Sequence, residues 1–188
     1  MKLTVGVYGS ASGEIPRDVR EKVRELGRLI AKRGYYLLTG ACPGIPYEAV
    51  IGCKQAGGMA VGVSPALNLF EHTTRYDSPA AKFDVIVYTG DGLMGREVTA
   101  VRSCDIVIFA GGRSGTLGEF AIAYDEGKTI GVLTGTGGIS DHIDEILAIV
   151  KKETGAVLVF DDDPARLLRR VVRAHRTRGP INYIPTGA

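Results

Sequence analysis

The chain has 188 residues, 45% of them hydrophobic and 23% charged, which is ordinary for a globular protein and enough for one domain with a full core. A formal net charge of +2 argues against nucleic acid or an anionic membrane surface as the main partner. No apolar run approaches the ~18 residues of a membrane span, and the first residues enter a strand directly, so neither a span nor a leader is expected.

Leu3 to Tyr8 reads as a first strand, and the turn behind it holds Gly9, Ser10 and Gly13. Pro16 suits a first helical position, and Val19, Val23, Leu26 and Ile30 then form one apolar stripe up to Gly34. Tyr35 to Leu38 is the second strand, followed by a turn containing Gly40, Cys42, Pro43 and Gly44, and by a helix over about 46–56. Met59 to Val63 is the third strand. From Ser64 to Phe83 the pattern breaks into a long connection, of the kind that often forms a binding loop or lid. His72 and Tyr76 in it are candidates to close over a bound base.

Asp84 to Tyr88 is the fourth strand, leading through a glycine turn into a helix that carries Arg96. Asp105 to Phe109, rich in β-branched residues, reads as a strand buried on both faces of a parallel sheet. Gly111, Gly112, Arg113, Ser114, Gly115 and Thr116 follow at once. Leu117, Phe120, Ala121 and Tyr124 then recur at helical spacing, which sets Glu119 opposite the Leu117, Ala121 and Tyr124 face. Lys128 to Leu133 is the sixth strand, with a glycine turn over 134–138 and a helix over about 140–152 whose stripe is Ile143, Ile146, Leu147 and Val150. Ala156 to Phe160 is the seventh. Asp163 and Pro164 open a last helix, to about Arg178, in which Arg166, Arg169, Arg170, Arg173, Arg176 and Arg178 form a solvated basic face.

Strands and helices alternate without a linker, so one doubly wound α/β domain with a mostly parallel sheet of about seven strands is expected. In such a fold the turns at 9–13, 39–46, 89–96, 110–116 and 134–138 meet at one edge of the sheet. The turn over 111–116 is the strongest candidate for chemistry. Glycines there let the backbone approach a ligand, free N–H groups point outward, and the helix dipole favours negative charge. The expectation is a phosphate held by the amides of 112–116 with Thr116. Neither G-x-G-x-x-G in phase nor G-x-x-x-x-G-K-[ST] occurs, so a mononucleotide or a single phosphate fits better than a dinucleotide or ATP with magnesium. Cys42, Cys53 and Cys104 are odd in number and far apart, and read as reduced thiols in a cytoplasmic protein rather than a disulfide or zinc set. Asp161, Asp162 and Asp163 read as a strand end running into a helix cap, not a metal site.

The segment from Gly111 to Glu119 resembles the P-G-G-x-G-T-x-x-E motif of LOG-like Rossmann proteins, long labelled "possible lysine decarboxylase". Leu93 to Glu97 is similar to that family's M-H-x-R-K motif, with Arg96 in the arginine position. Gly9 and Ser10 in the first turn, and Gly40 and Gly44 in the second, look like its flanking glycine elements. The chain departs from the pattern at Gly111 for proline, Arg113 for glycine, Met94 for histidine and Glu97 for lysine, which draws it towards a sister branch of molybdenum-cofactor carrier-like proteins. The resemblance implies a cytoplasmic homodimer or higher homo-oligomer with Arg96 and Glu119 as catalytic pair, and without metal or other cofactor. It also implies a ligand-binding set of Gly9, Ser10, Gly40, Gly44, Gly111, Gly112, Arg113, Ser114, Gly115 and Thr116.

Two functions are compatible with it. The first is hydrolysis of a nucleoside 5′-monophosphate to free base and ribose 5-phosphate, with the Glu119 carboxylate stabilising positive charge on the sugar. The second is a carrier that binds a phosphorylated pterin, or a nucleotide, without turnover. Lysine decarboxylation is excluded, since no motif identifies a pyridoxal phosphate site.

Overall fold

A computed structural model describes residues 2–178 as a seven-stranded sheet, parallel throughout, flanked by helices on both faces. The strands are β1 (Thr4–Gly9), β2 (Tyr36–Thr39), β3 (Ala60–Ser64), β4 (Val85–Tyr88), β5 (Ile106–Ala110), β6 (Thr129–Leu133) and β7 (Val157–Asp161). The helices are α1 (Arg17–Lys32), α2 (Ile45–Gln55), α3 (Leu69–Thr74), α4 (Gly92–Arg102), α5 (Ser114–Asp125), α6 (Ile143–Val150) and α7 (Pro164–Thr177).

Strand order is β4-β3-β2-β1-β5-β6-β7. The chain therefore winds outward in one direction to β4, crosses back through α4, and winds outward in the other direction from β5. Sheets of this type bind ligands where the order reverses, here at the carboxyl ends of β1 and β5. β5 and β6 are buried along their whole length, as expected for strands covered on both faces. α1, α2 and α7 close one face through Val23, Leu26, Ile30, Val50, Leu167 and Leu168. α4, α5 and α6 close the other through Val101, Phe120, Ala123 and Ile143, against Tyr8, Val107 and Phe109.

Three local expectations change. The stretch from Ser64 to Phe83 is not structureless: Asn68 accepts a hydrogen bond from the Glu71 amide and starts α3. The helix expected over 140–152 begins as a 3-10 turn, Gly138–His142, because the Asp141 carboxylate accepts from the amides of Gly135 and Gly137; Val150 in its stripe is half exposed. Most consequential is the phase of α5. Its buried residues are Thr116, Glu119, Phe120 and Ala123, whereas Leu117 and Ala121 face outward. Glu119 thus points towards the sheet instead of away from it, on a face spaced i, i+3, i+4 and i+7.

Candidate active site

The site forms where the turns after β1, β2, β5 and β6 meet. The turn after β4 does not join them: Thr89 and Gly90 stay at the sheet edge, bonded to the backbone of Ser64 and Ala66. What reaches the centre from that side is Arg96, one turn into α4. Its guanidinium lies against Gly40 at the end of β2, where any Cβ would occupy the space that Arg96 fills.

The glycine turn after β5 is braced from both sides. Gly111 donates its N–H to Thr136 Oγ1 (2.8 Å), and Gly112 donates to Ser10 Oγ (2.9 Å). The carbonyl of Gly111 accepts from the amide and hydroxyl of Ser140, and that of Gly112 from the Ile139 amide. Positive φ angles of 59° and 102° at Gly111 and Gly112 let the chain make this turn. The expectation that the Gly112 amide meets the ligand is therefore corrected: its donor is spent on Ser10. Thr136 lies in the 134–138 turn expected at this edge, whereas Ser140, expected inside the following helix, carries no sequence signal for the site.

Past this brace the amides of Ser114, Gly115 and Thr116 head α5. The first N–H groups of a helix lack intrahelical acceptors, and no side chain caps this end. Ser114 and Gly115 are exposed, and Thr116 is buried below them. Arg113, in the N-cap position, is exposed and turned across the mouth, its guanidinium donating to the Ser12 hydroxyl. Gly9 packs against the Ala110 carbonyl, and Gly44 against the backbone of Ser10 and Ala11. These two glycines permit close packing of the turns. Ala41 adopts φ 53°, a left-handed conformation uncommon outside glycine, in the same turn as Gly40.

Beneath the helix end lies a buried ionic cluster. Arg96 is 5% exposed and Glu119 6%, with Arg96 Nη1 3.7 Å from Glu119 Oε1. This distance is an ion pair without a hydrogen bond. Arg96 Nε and Nη1 have no hydrogen-bond partner among the described residues, and neither has Glu97 Oε2. Glu97, only 5% exposed, lies in the groove between α4 and α5 and joins the cluster. Burial pushes the Glu119 carboxyl up to about 8; Arg96 opposes the rise and Glu97 adds to it. Burial also raises Glu97, with Arg96 pulling it back. A cluster of one guanidinium and two carboxyls is neutral when one carboxyl is protonated, and burial of the pair favours that state. Tyr8 and the thiols of Cys42 and Cys104 line the same interior, all raised by burial.

His72 and Tyr76 do not reach this site. His72 is fully buried, Nδ1 2.8 Å from Ser64 Oγ and Nε2 3.2 Å from the Pro79 carbonyl, so it fastens the loop to β3. Tyr76 sits beneath the guanidinium of Arg75. Asp161 is held ionised well below the ordinary carboxylate range by hydrogen bonds from Arg166 and Arg170, which also gives two of the basic-face arginines a partner. A cavity of about 390 Å³ beside these residues, lined by Thr134, Phe160 and Arg170, includes neither Arg96 nor Glu119.

Comparison with known proteins agrees with this architecture. A family model described as the SLOG cluster4 family matches residues 2–168. An uncharacterized protein of Archaeoglobus fulgidus is 33% identical over 134 residues, covering 71% of this chain and 82% of that protein. The solved molybdenum cofactor binding protein of Rippkaea orientalis is 26% identical, with TM-score 0.75 over 94% of this chain and 99% of its own. The molybdenum cofactor carrier protein of Chlamydomonas reinhardtii is 25% identical, with TM-score 0.73 over 94% of this chain and 100% of its own. None of the helices among the described residues is long and apolar enough to cross a membrane.

Proposed function

Since the chain belongs to the SLOG cluster4 family, we propose that it holds the phosphate of a small heterocyclic ligand at the N-terminus of α5 and hydrolyses an N-glycosidic bond beside it. The ligand on this reading is a nucleoside 5′-monophosphate, and the products are free base and ribose 5-phosphate. The amides of Ser114, Gly115 and Thr116 take the phosphate, and Arg113 adds positive charge at the mouth.

The observation that carries the reading is the buried pairing of Arg96 with Glu119 at 3.7 Å, without a hydrogen bond between them and with burial raising the Glu119 carboxyl. In the bond-breaking step the electrons of the sugar–base bond pass to the base nitrogen, which takes a proton from Glu119. Water then adds to the sugar carbon that has lost its base. One water is consumed, and its second proton restores Glu119. Arg96, with two buried N–H-bearing nitrogens free, orients Glu119 and binds ligand oxygens. Incubation with a panel of nucleoside monophosphates and detection of free base tests this; no release from any of them defeats it.

A second reading is a carrier that binds a phosphorylated pterin, or a nucleotide, without turnover. Two observations favour it: the similarity to molybdenum cofactor binding and carrier proteins along almost the whole chain, and the near-complete burial of Glu119. Native mass spectrometry of protein from an unmanipulated host distinguishes the two, because a carrier retains its cargo. On either reading the first turns of α4 and α5 carry an exposed apolar rim, with Leu93 57% and Met94 70% exposed on α4 and Leu117 on α5. We assign this rim to contact with a second copy of the chain.

A further inference from the structure

We propose that Glu97 is a specificity residue that accepts hydrogen bonds from vicinal hydroxyls of a pentose 5-phosphate unit bound at the head of α5. The proposal rests on the phosphate reading above and adds to it the group next to the phosphate. Glu97 is almost fully buried, yet Oε2 has no hydrogen-bond partner among the described residues. The Arg96 ion pair is made with Glu119, so it leaves this oxygen unanswered. A buried carboxylate oxygen without a donor is costly, and a site that places one supplies the donor from elsewhere.

The surroundings say from where. A Cβ at Gly115 would stand 3.3 Å from Glu97 Oε1, and one at Gly118 would stand 3.1 Å from Oε2. The carboxylate thus lies against the backbone of α5 at two glycines one helical turn apart, in the space a side chain there would take. Gly115 is exposed, so this edge of α5 opens at the same surface as the free amides of Ser114, Gly115 and Thr116. The two features are offset by roughly 5 Å, one turn of helix. That offset suits a pentose whose 5-phosphate sits on the helix end and whose neighbouring ring hydroxyls lie alongside. A carboxylate accepts from two adjacent hydroxyls at once, having two oxygens and no donor of its own. A second phosphate alongside would meet a like charge instead and is rejected.

The test is a comparison of dissociation constants by calorimetry for inorganic phosphate, ribose 5-phosphate, 2-deoxyribose 5-phosphate and arabinose 5-phosphate. Ribose 5-phosphate is expected to bind about tenfold or more tightly than its 2-deoxy analogue, and Glu97→Gln to shrink that ratio to about threefold or less. Arabinose 5-phosphate, with the 2-hydroxyl inverted, gives an answer on the unaltered protein should the variant fold poorly; it is expected to bind like the deoxy sugar. Equal affinities for all three sugars, or a ratio unchanged by Glu97→Gln, overturn the role of Glu97 and leave the phosphate site standing. Failure of inorganic phosphate and every sugar phosphate to bind overturns the phosphate reading itself.

Discussion

Arg96 and Glu119 face each other 3.7 Å apart under the first turn of α5, closely enough to feel each other's charge but without a shared hydrogen bond. Each is brought there by a different crossover: α4 carries Arg96 back from the sheet edge, and α5 carries Glu119 away from β5. A fully satisfied structural ion pair would close this gap with two hydrogen bonds, as Arg166 does on Asp161 at 2.7 and 2.8 Å. On the proposed reading, this gap is where a ligand oxygen meets the pair.

Replacing Glu119 with glutamine removes a titrating group but little volume. On the hydrolase reading, turnover falls by about 10²–10⁴-fold, the usual loss when a proton donor is deleted. Ligand binding survives. A steady-state assay of base release alongside calorimetry separates the two quantities, and an unaltered rate removes Glu119 from the chemistry.

Stability should respond to pH in a defined window. The Glu119 carboxyl rises from 4.5 to about 8 on folding, so its contribution is complete below 4.5, declines as pH climbs, and is gone above about 8. The unaltered protein should lose melting temperature relative to Glu119→Gln between pH 5 and pH 8.5. Parallel thermal melts across that range check it; curves that stay parallel contradict the burial of an ionisable Glu119.

Glu97 raises Glu119 by like charge, so Glu97→Gln should move the Glu119 titration downward. The alkaline limb of the pH–rate profile then shifts to lower pH, or, without turnover, so does the carboxyl resonance followed by NMR. Tyr8, Cys42, Cys104 and Arg96 share the interior and remain in the variant, which isolates the effect of the one substitution.

Gly40→Ala sets a methyl group into the space of the Arg96 guanidinium. Relieving the clash means displacing Arg96 from Glu119. The expected cost is about 1–3 kcal/mol of stability, together with weakened ligand binding. Chemical denaturation and calorimetry on the same preparation measure both.

Met94→Glu places a charge at the most exposed residue of the apolar rim on α4 and α5. If a second copy covers that rim, the variant sediments as a monomer at concentrations where the unaltered protein does not. Identical sedimentation of the two proteins would show that the rim is not an interface.

Much of this was legible in the chain itself. Strand positions follow from short β-branched runs, and the parallel sheet follows from strict alternation with helices, because burial on both faces leaves such runs few other arrangements. Arg96, Glu119 and the 111–116 turn stand out by motif spacing. Their environment does not. Whether Glu119 faces solvent or sheet depends on the helical phase of α5, and with Ile122 and Ala123 flanking Glu119 its sequence is apolar on both sides, so periodicity alone does not choose the face.

Local sequence thus determined which elements form and where a glycine-rich turn meets a helix N-terminus, since those depend on propensity and pattern over a few neighbouring residues. Only the assembled fold decided which amides stay free, that Ser10 and Thr136 take those of Gly112 and Gly111, and that burial raises the Glu119 carboxyl. Those outcomes arise from groups far apart in the chain sharing one water-poor space, where burial and the charge of each neighbour set the state of the rest.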